Sequence, residues 1–505
     1  MPIIKPHETQ GTVTLHADVV IVGSGAGGAT AAATLAEAGL DVIVLEEGGH
    51  YETHEYSAHI PEMMGKLMRG GGSTLIMGRS PVTYFEGRCV GGTTVINGGM
   101  CWRTPADVLN HWTRDFGLHE LSADALEPVF EHVEATINAR HQDPGSEGNC
   151  NQVFRRGAET LGWKLNLNKR NQVHCVGSNE CVTGCPSGAK QSTLYSWLPR
   201  FFNSGGRLYT KMRVQRVVTQ DGRVAGVQGT VLDPFRKRTF EIRAETVVLA
   251  CGAVQTPLLM QRNQLGRPCG QVGRHFTIHP NVKVAAVFDE DVDSMRGTHQ
   301  AWQCTEFVDE GILLAPGAVP LPFLSAVMNG FGRHLAERMR AHRHIATGGV
   351  LVDDSSSGRI RTLPFGIPYV KYDVTDVDQA KFIKAAYKLA ELYFAAGAKE
   401  VITAFHSIPV LKSPDDLKLI NEVKPRVEDT EYFTAHIMGT CRMHSNRRQG
   451  VVGPDGQAWD VPGLYITDAS VLPGTIGVNP QVTIMTIARV IATRLASHLK
   501  RQHAA

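Results

Sequence analysis

The sequence predicts a mixed α/β protein of more than one domain, and three observations carry that prediction. Near the start of the chain an apolar β-branched run, a glycine-rich turn, an alanine-rich helix and a second apolar run follow one another. Further on, a long interval alternates short apolar runs with turns, the habit of an antiparallel sheet with flanking helices. The length of 505 residues allows two or three domains with large cores, at roughly 100–200 residues each. Composition is ordinary for a globular protein, with 42% hydrophobic and 20% charged residues and 51 Lys+Arg against 49 Asp+Glu for a net charge of +2. That balance excludes a disordered chain, a collagen and a highly basic nucleic-acid coat, so no nucleic-acid partner is expected. Glycine is the unusual component, 52 residues used in clusters, where tight turns or close approach to a ligand call for a residue without a Cβ.

Residues 17–22, ADVVIV, read as a strand buried on both faces. They feed into a G-x-G-x-x-G pattern filled by Gly23, Gly25 and Gly28, then a helix ending at Gly39 and a strand, DVIVLE, ending at Glu46. This is a complete βαβ unit of Rossmann-like form. The first glycine supplies the tight turn, the second admits a pyrophosphate to the backbone, and the third lets helix and strand pack closely. The phosphates are expected on free N–H groups at the positive end of the helix, and Glu46 is placed to accept from adenosine ribose hydroxyls. The motif alone does not separate NAD from FAD.

Residues 87–105, GRCVGGTTVINGGMCWRTP, show no helical or strand period. Gly91-Gly92 and Gly98-Gly99 bracket Thr93, Thr94 and Asn97, a bare backbone punctuated by small polar groups. Such a segment suits contact with a large planar ligand, or else a buried loop with none. It resembles the first signature of the glucose–methanol–choline (GMC) oxidoreductases, flavoenzymes that oxidise alcohols. Residues 247–259, VVLACGAVQTPLL, resemble the family's second signature, a strand returning to the cofactor sheet followed by a turn. Residues 433–494 resemble its closing module, including HIMGTCRM, GLYITDASVLP and VNPQVTIM.

The resemblance implies FAD, with Gly91, Gly92, Thr93, Asn97 and Gly98 at the flavin, Asp468 and Ala469 at its phosphate–ribityl region, Pro480 beside it and Val214 at the adenine. Some relatives attach the flavin through a histidine just before the second glycine pair. Here Val95, Ile96 and Asn97 occupy that neighbourhood, so non-covalent FAD is expected. The resemblance also implies that His436, which opens HIMGTCRM, is the acid/base, and that Asn479, before Pro480, is its companion. An amide does not titrate, so Asn479 can only hold the substrate oxygen, which leaves His436 as the base. The implied reaction removes the hydroxyl proton and passes hydride to flavin N5.

Cys175, Cys181 and Cys185 fall in HCVGSNECVTGCPSGAK, an irregular loop with spacing C-x5-C-x3-C. Three thiolates can serve a [3Fe–4S] cluster, and the segment resembles the cluster loop of bacterial FAD-dependent glucose and fructose dehydrogenases. It also resembles a cysteine-rich segment of the long-chain fatty alcohol oxidases, where the cysteines would be structural thiols or a disulfide. Cys150 is a candidate fourth ligand, and Cys441 reads as packing.

The expected organisation is a discontinuous FAD-binding domain over residues 1–279, an antiparallel-sheet substrate domain over 280–430, and a C-terminal return over 431–505 carrying His436 and Asn479. Residues 374–395 read as an amphipathic helix. Residues 312–328 carry three prolines and cannot form one helix. The basic stretch at 333–344 reads as a solvated helix face, or else as a surface for a membrane or an electron acceptor. Neither a secretory signal nor an apolar run of membrane-spanning length is visible, so a cytoplasmic protein is expected. The expected substrate is a hydrophobic primary alcohol, with electrons passed to an acceptor protein, a quinone or O2. A sugar or sterol dehydrogenase and an FAD-containing hydroxynitrile lyase remain the alternatives.

Overall fold

The computed structural model describes residues 3–9, 11–233 and 235–504. Six parallel strands form the first sheet, in the order Ile3–Ile4, Arg207–Tyr209, Val42–Leu45, Val19–Val22, Thr246–Leu249 and Leu464–Ile466. Strand Val19–Val22 lies at its interior and is buried throughout, as its unbroken β-branched run requires. Helix Ala26–Glu37 follows it, and its small side chains let the C-terminal helix Gln481–Ala504 pack closely against it. That C-terminal helix is apolar and long enough to cross a membrane by composition, but 61% of its most apolar window is buried inside the protein.

A ten-stranded sheet forms the second layer. Its centre is Asn281–Val287, Ile345–Val352 and Ile312–Pro316, paired antiparallel. Strands Thr74–Ile76, Val82–Tyr84, Leu165–Leu167, Trp302–Cys304, Glu400–Ile402, Val410–Leu411 and Tyr432–Thr434 complete it from earlier and later parts of the chain. Helix Asp376–Ala395 packs across this sheet and buries Phe382, Leu389 and Tyr393. Thr375 caps its start by accepting the N–H of Asp378. The proline-bearing stretch divides into strand Ile312–Pro316 and helix Leu321–Val327. In the basic stretch, helix Gly332–Arg340 has Arg338 paired with Glu400 at 3.1 Å.

One local expectation is corrected. Strand Thr246–Leu249 is followed by helix Gly252–Arg262 rather than by a turn alone. Pro257 sits inside that helix without an N–H to offer the carbonyl of Ala253, and the Thr440 hydroxyl donates to that carbonyl at 2.6 Å instead. The helix therefore survives its proline through a contact made by the closing segment of the chain.

Candidate active site

A cavity of about 1300 Å³ opens where the two sheets meet. Small-molecule sites commonly run to ~300–1,000 Å³, so this one has room for a dinucleotide and a second molecule. Its lining includes Gly23, Gly25, Glu46, Val214, His436 and Asn479. Gly92, Thr93, Asn97, Gly98, Asp468, Ala469 and Pro480 also face it, whereas Gly91 stands one residue behind the wall.

The glycine turn tests whether FAD fits. Gly23 has φ +105°, and a Cβ there would come within 2.3 Å of the Ala250 carbonyl oxygen. At Gly28 a Cβ would meet the Gly23 carbonyl at 2.0 Å, and at Gly27, which the motif reading passed over, the Thr467 carbonyl at 1.9 Å. These three glycines serve packing. At Gly25, by contrast, the nearest atom to a Cβ is Gly92 Cα at 3.9 Å, so its open side faces the cavity. Gly25 is also the N-cap of helix Ala26–Glu37, without a side chain to occupy the first N–H groups. An anion-binding cradle of backbone donors is what the pyrophosphate of FAD needs.

Beside it the Glu46 carboxylate accepts from the Ser24 hydroxyl at 2.6 Å, the Ser24 N–H at 3.1 Å and the Gly48 N–H at 2.7 Å. Most of its acceptor capacity is spent holding the turn. Burial pushes the carboxyl up from its ordinary range, against those hydrogen bonds. The neighbouring Glu47, which the sequence reading did not single out, also lines the cavity and meets Arg69, Arg88 and Arg213 at 3.0, 3.2 and 2.6 Å. Burial raises its carboxyl, but the three guanidiniums hold it at about 2.

The glycine-rich loop is tied down on both sides. Gly91 N–H donates to Ser24 Oγ at 3.1 Å, joining the loop to the first glycine turn. Thr93 Oγ1 accepts from Gly87 N–H at 3.0 Å, and Asn97 donates to Gln481. Lys190 donates to the carbonyls of Val95 at 2.6 Å and Asn97 at 3.0 Å, and to that of Cys181. Burial pushes its ammonium down to about 8. Asp468 accepts from Gly252 N–H at 2.9 Å and Ser470 N–H at 2.8 Å, which fixes the closing segment against helix Gly252–Arg262.

His436 and Asn479 meet with Nε2 and Nδ2 3.1 Å apart. On the other edge of the ring, Nδ1 of His436 lies 3.1 Å from Nδ1 of His279. His279, to which the sequence reading gave no role, is buried here and in direct contact. The N–H groups of Ile476 and Gly477 approach its Nε2 at 3.3 and 3.1 Å, so that nitrogen accepts and the ring proton sits on Nδ1. His279 therefore donates to His436, whose own proton in the neutral ring lies on Nε2. The Asn479 oxygen, buried without a partner as placed, satisfies that proton when the amide is turned over. Burial lowers His436 to about 4, and burial together with the facing imidazole lowers His279 well below the ordinary histidine range. Both rings are neutral at pH 7.

The cysteine loop does not gather as a ligand set. Among the described residues no three His, Cys, Asp or Glu side chains converge as a metal site, and each of the ten cysteines is free. Cys175 Sγ lies 3.6 Å from the Thr298 hydroxyl, Cys181 Sγ accepts from Arg170 at 3.4 Å and Cys185 Sγ accepts from Lys190 N–H at 3.4 Å. Two short spacings bring the cysteines together in sequence, but each sulfur is turned to a different protein partner. The residues present do not fit an iron–sulfur cluster or a disulfide. Cys150 bonds Thr347 elsewhere, and Cys441 packs on Met260.

Asn281, Lys283 and His299 also face the cavity and were not found from sequence. The signal for the first two was present in NVKV, where polar residues alternate with valines along a strand.

Comparison with known proteins gives three family matches. Residues 64–281 and 354–488 match the two GMC oxidoreductase models, and residues 18–59 match an FAD binding domain. An uncharacterized GMC-type oxidoreductase, y4nJ, of Sinorhizobium fredii is 35% identical over 97% of this chain and 96% of its own. The long-chain-alcohol oxidase FAO4B of Arabidopsis thaliana is 29% identical over 97% of this chain and 68% of its own. Pyridoxine 4-oxidase from Mesorbium loti shares the fold, with a TM-score of 0.74 at 18% identity over 95% of this chain and 99% of that one.

Proposed function

The chain belongs to the GMC oxidoreductase family, and from that premise we propose that it oxidises an alcohol to the aldehyde or ketone with non-covalent FAD. The observation that carries this reading is the His436–Asn479 contact of 3.1 Å, placed on the same cavity onto which Gly25 opens. Bound FAD supplies the hydride acceptor. Around it the Gly25 turn would receive the pyrophosphate, the 91–98 loop the isoalloxazine, and Val214 the adenine.

His436 takes the hydroxyl proton at Nε2, and the Asn479 amide holds the substrate oxygen as charge develops on it. To accept there, Nε2 needs its lone pair, so the His436 proton must lie on Nδ1 and donate back to His279. That tautomer moves the His279 proton to Nε2 and gives up the two backbone donations from Ile476 and Gly477. Each buried N–H left without an acceptor costs roughly 1–3 kcal/mol, so the reacting tautomer is the minor one. Reaching it takes the shared Nδ1 proton from His279 to His436, releases the His436 Nε2 proton to the cavity and returns a proton to His279 Nε2. His279 thus sets how much of His436 is ready to act as base.

The far wall of the cavity is apolar, with Leu313, Ala315, Val319, Phe323 and Leu351 facing it. This supports a substrate with a hydrocarbon portion, as does the similarity to a long-chain-alcohol oxidase. Anaerobic mixing of the FAD-loaded protein with primary alcohols tests the reading. Loss of the yellow flavin band is expected; a flavin that stays oxidised while a hydroxynitrile is cleaved would assign a lyase instead.

A further inference from the structure

We propose that Lys283 and Asn281 form a second recognition point in the cavity, which binds a carboxylate carried by the alcohol at the end remote from its reacting hydroxyl. The inference rests on the alcohol-oxidising reading of the same site, and it narrows the substrate from a plain alkanol to a hydroxy acid with an apolar spacer.

Asn281 and Lys283 sit two apart on strand Asn281–Val287, so their side chains share a face, and both line the cavity. Val282 and Val284 between and beyond them are fully buried on the opposite face. The neighbouring strand is cut back to make room. A Cβ at Gly349 would meet Lys283 Nζ at 3.0 Å and Asn281 Oδ1 at 2.9 Å, and one at Gly317 would meet Nζ at 3.1 Å.

Neither polar group is satisfied by the protein. Among the described residues no carboxylate lies within 4.0 Å of Nζ and no acceptor hydrogen-bonds it, while Asn281 Oδ1 is buried without a partner. The Phe433 ring, 4.8 Å from Nζ, supports a cation but does not neutralise one. Burial pushes the ammonium down to about 8, which still leaves it charged at neutral pH. Charges withdrawn from water are normally paired, so the counter-charge is expected to arrive with the ligand.

The strand also sets the geometry. His279, which touches His436, lies two residues before Asn281 in the chain, and Lys283 lies two residues beyond it, a further ~7 Å at about 3.4 Å per residue. Leu313, Ala315 and Leu351 supply the apolar wall of the same cavity. An ω-hydroxy acid would place its hydroxyl at His436, its methylenes along that wall and its carboxylate at Lys283.

Calorimetric titration of the FAD-loaded protein, its flavin reduced beforehand with dithionite, with octanoate and with 1-octanol reads this without turnover. Wild type should bind octanoate at least ~10-fold more tightly than 1-octanol, and Lys283→Met should remove that preference at unchanged FAD content. If Lys283→Met does not load FAD, Gly349→Ala carries the test, because its Cβ displaces Nζ while keeping the charge; the same loss is expected. Octanoate binding no tighter than 1-octanol in wild type, or a preference that survives both variants, would overturn the proposal. So would tight, Lys283-dependent binding of sorbitol in place of octanoate, which would make this a polyol site. A flavin that no alcohol reduces, with Lys283-dependent octanoate binding intact, would instead remove the redox reading and leave the carboxylate site standing.

Discussion

The two walls of the cavity are built by different means. The cofactor wall is made of backbone: Gly23, Gly27 and Gly28 each sit where a Cβ would come within 2.3 Å of a carbonyl oxygen, and Gly25 alone opens to the cavity. The substrate wall is made of side chains from widely separated parts of the chain, His279 reaching His436 across 157 residues of sequence. Contiguous glycines can be read from sequence because the turn they make is local. A contact between two imidazoles cannot, because nothing near either histidine marks the other.

Glycine substitutions break the comparison most sharply. Gly27→Val should fail to fold or to load FAD, since its Cβ would strike the Thr467 carbonyl, and recovery of yellow, stable protein would show that the packing is misread. Gly25→Ala should keep its melting temperature within a few degrees but weaken FAD at least ~10-fold, because its Cβ faces the cradle rather than the core. Fluorescence titration of the stripped protein with FAD separates the two outcomes.

On the substrate wall, His279→Phe removes the donor to His436 Nδ1 and frees the ring to exchange tautomers. A change of ~10-fold or more in kcat is expected with little change in KM, and a glutamine at the same position should restore part of it. Equal kinetics for wild type and both variants would remove His279 from the account.

Acid sensitivity belongs mainly to the substrate side. Burial holds His436 and His275 at about 4 and His299 at about 3 in the folded protein. In the unfolded chain histidines titrate near 6.5. Below that value the unfolded state binds more protons, so the stability these groups contribute is complete above pH 6.5 and is lost as pH falls toward 4. The urea midpoint should therefore drop between pH 7 and pH 5; an equal or higher midpoint at pH 5 would contradict the assigned neutral rings.

The smallest effects are expected around the cysteine loop. Lys190→Met leaves three carbonyls without their donor and should weaken FAD by a few-fold through a looser 95–97 segment. Replacing Cys175, Cys181 and Cys185 together by serine should change FAD content and turnover less than twofold, on the order of RT or below in free energy. Stoichiometric iron and acid-labile sulfide in the purified wild type would contradict the placement of those sulfurs.

Legibility followed the same division. The βαβ unit, the glycine-rich loop and the absence of one continuous helix over residues 312–328 were readable, because β-branched runs, glycines and prolines act on their own neighbourhood. Helix Gly252–Arg262 was missed because Pro257 reads as a breaker until Thr440 is known to take the Ala253 carbonyl. The cysteine spacing gave proximity in sequence but not the direction of each Sγ. His436 and Asn479 were reached by resemblance, whereas Lys283 was visible only as an alternation in NVKV.

The central claim is that the imidazole of His436 takes the substrate proton beside a bound flavin, and single-turnover reduction of His436→Ala tests it most directly. With FAD content unchanged, flavin reduction by a primary alcohol should slow by ~10²–10⁴-fold relative to wild type. Reduction at a near-normal rate in that variant would contradict the claim.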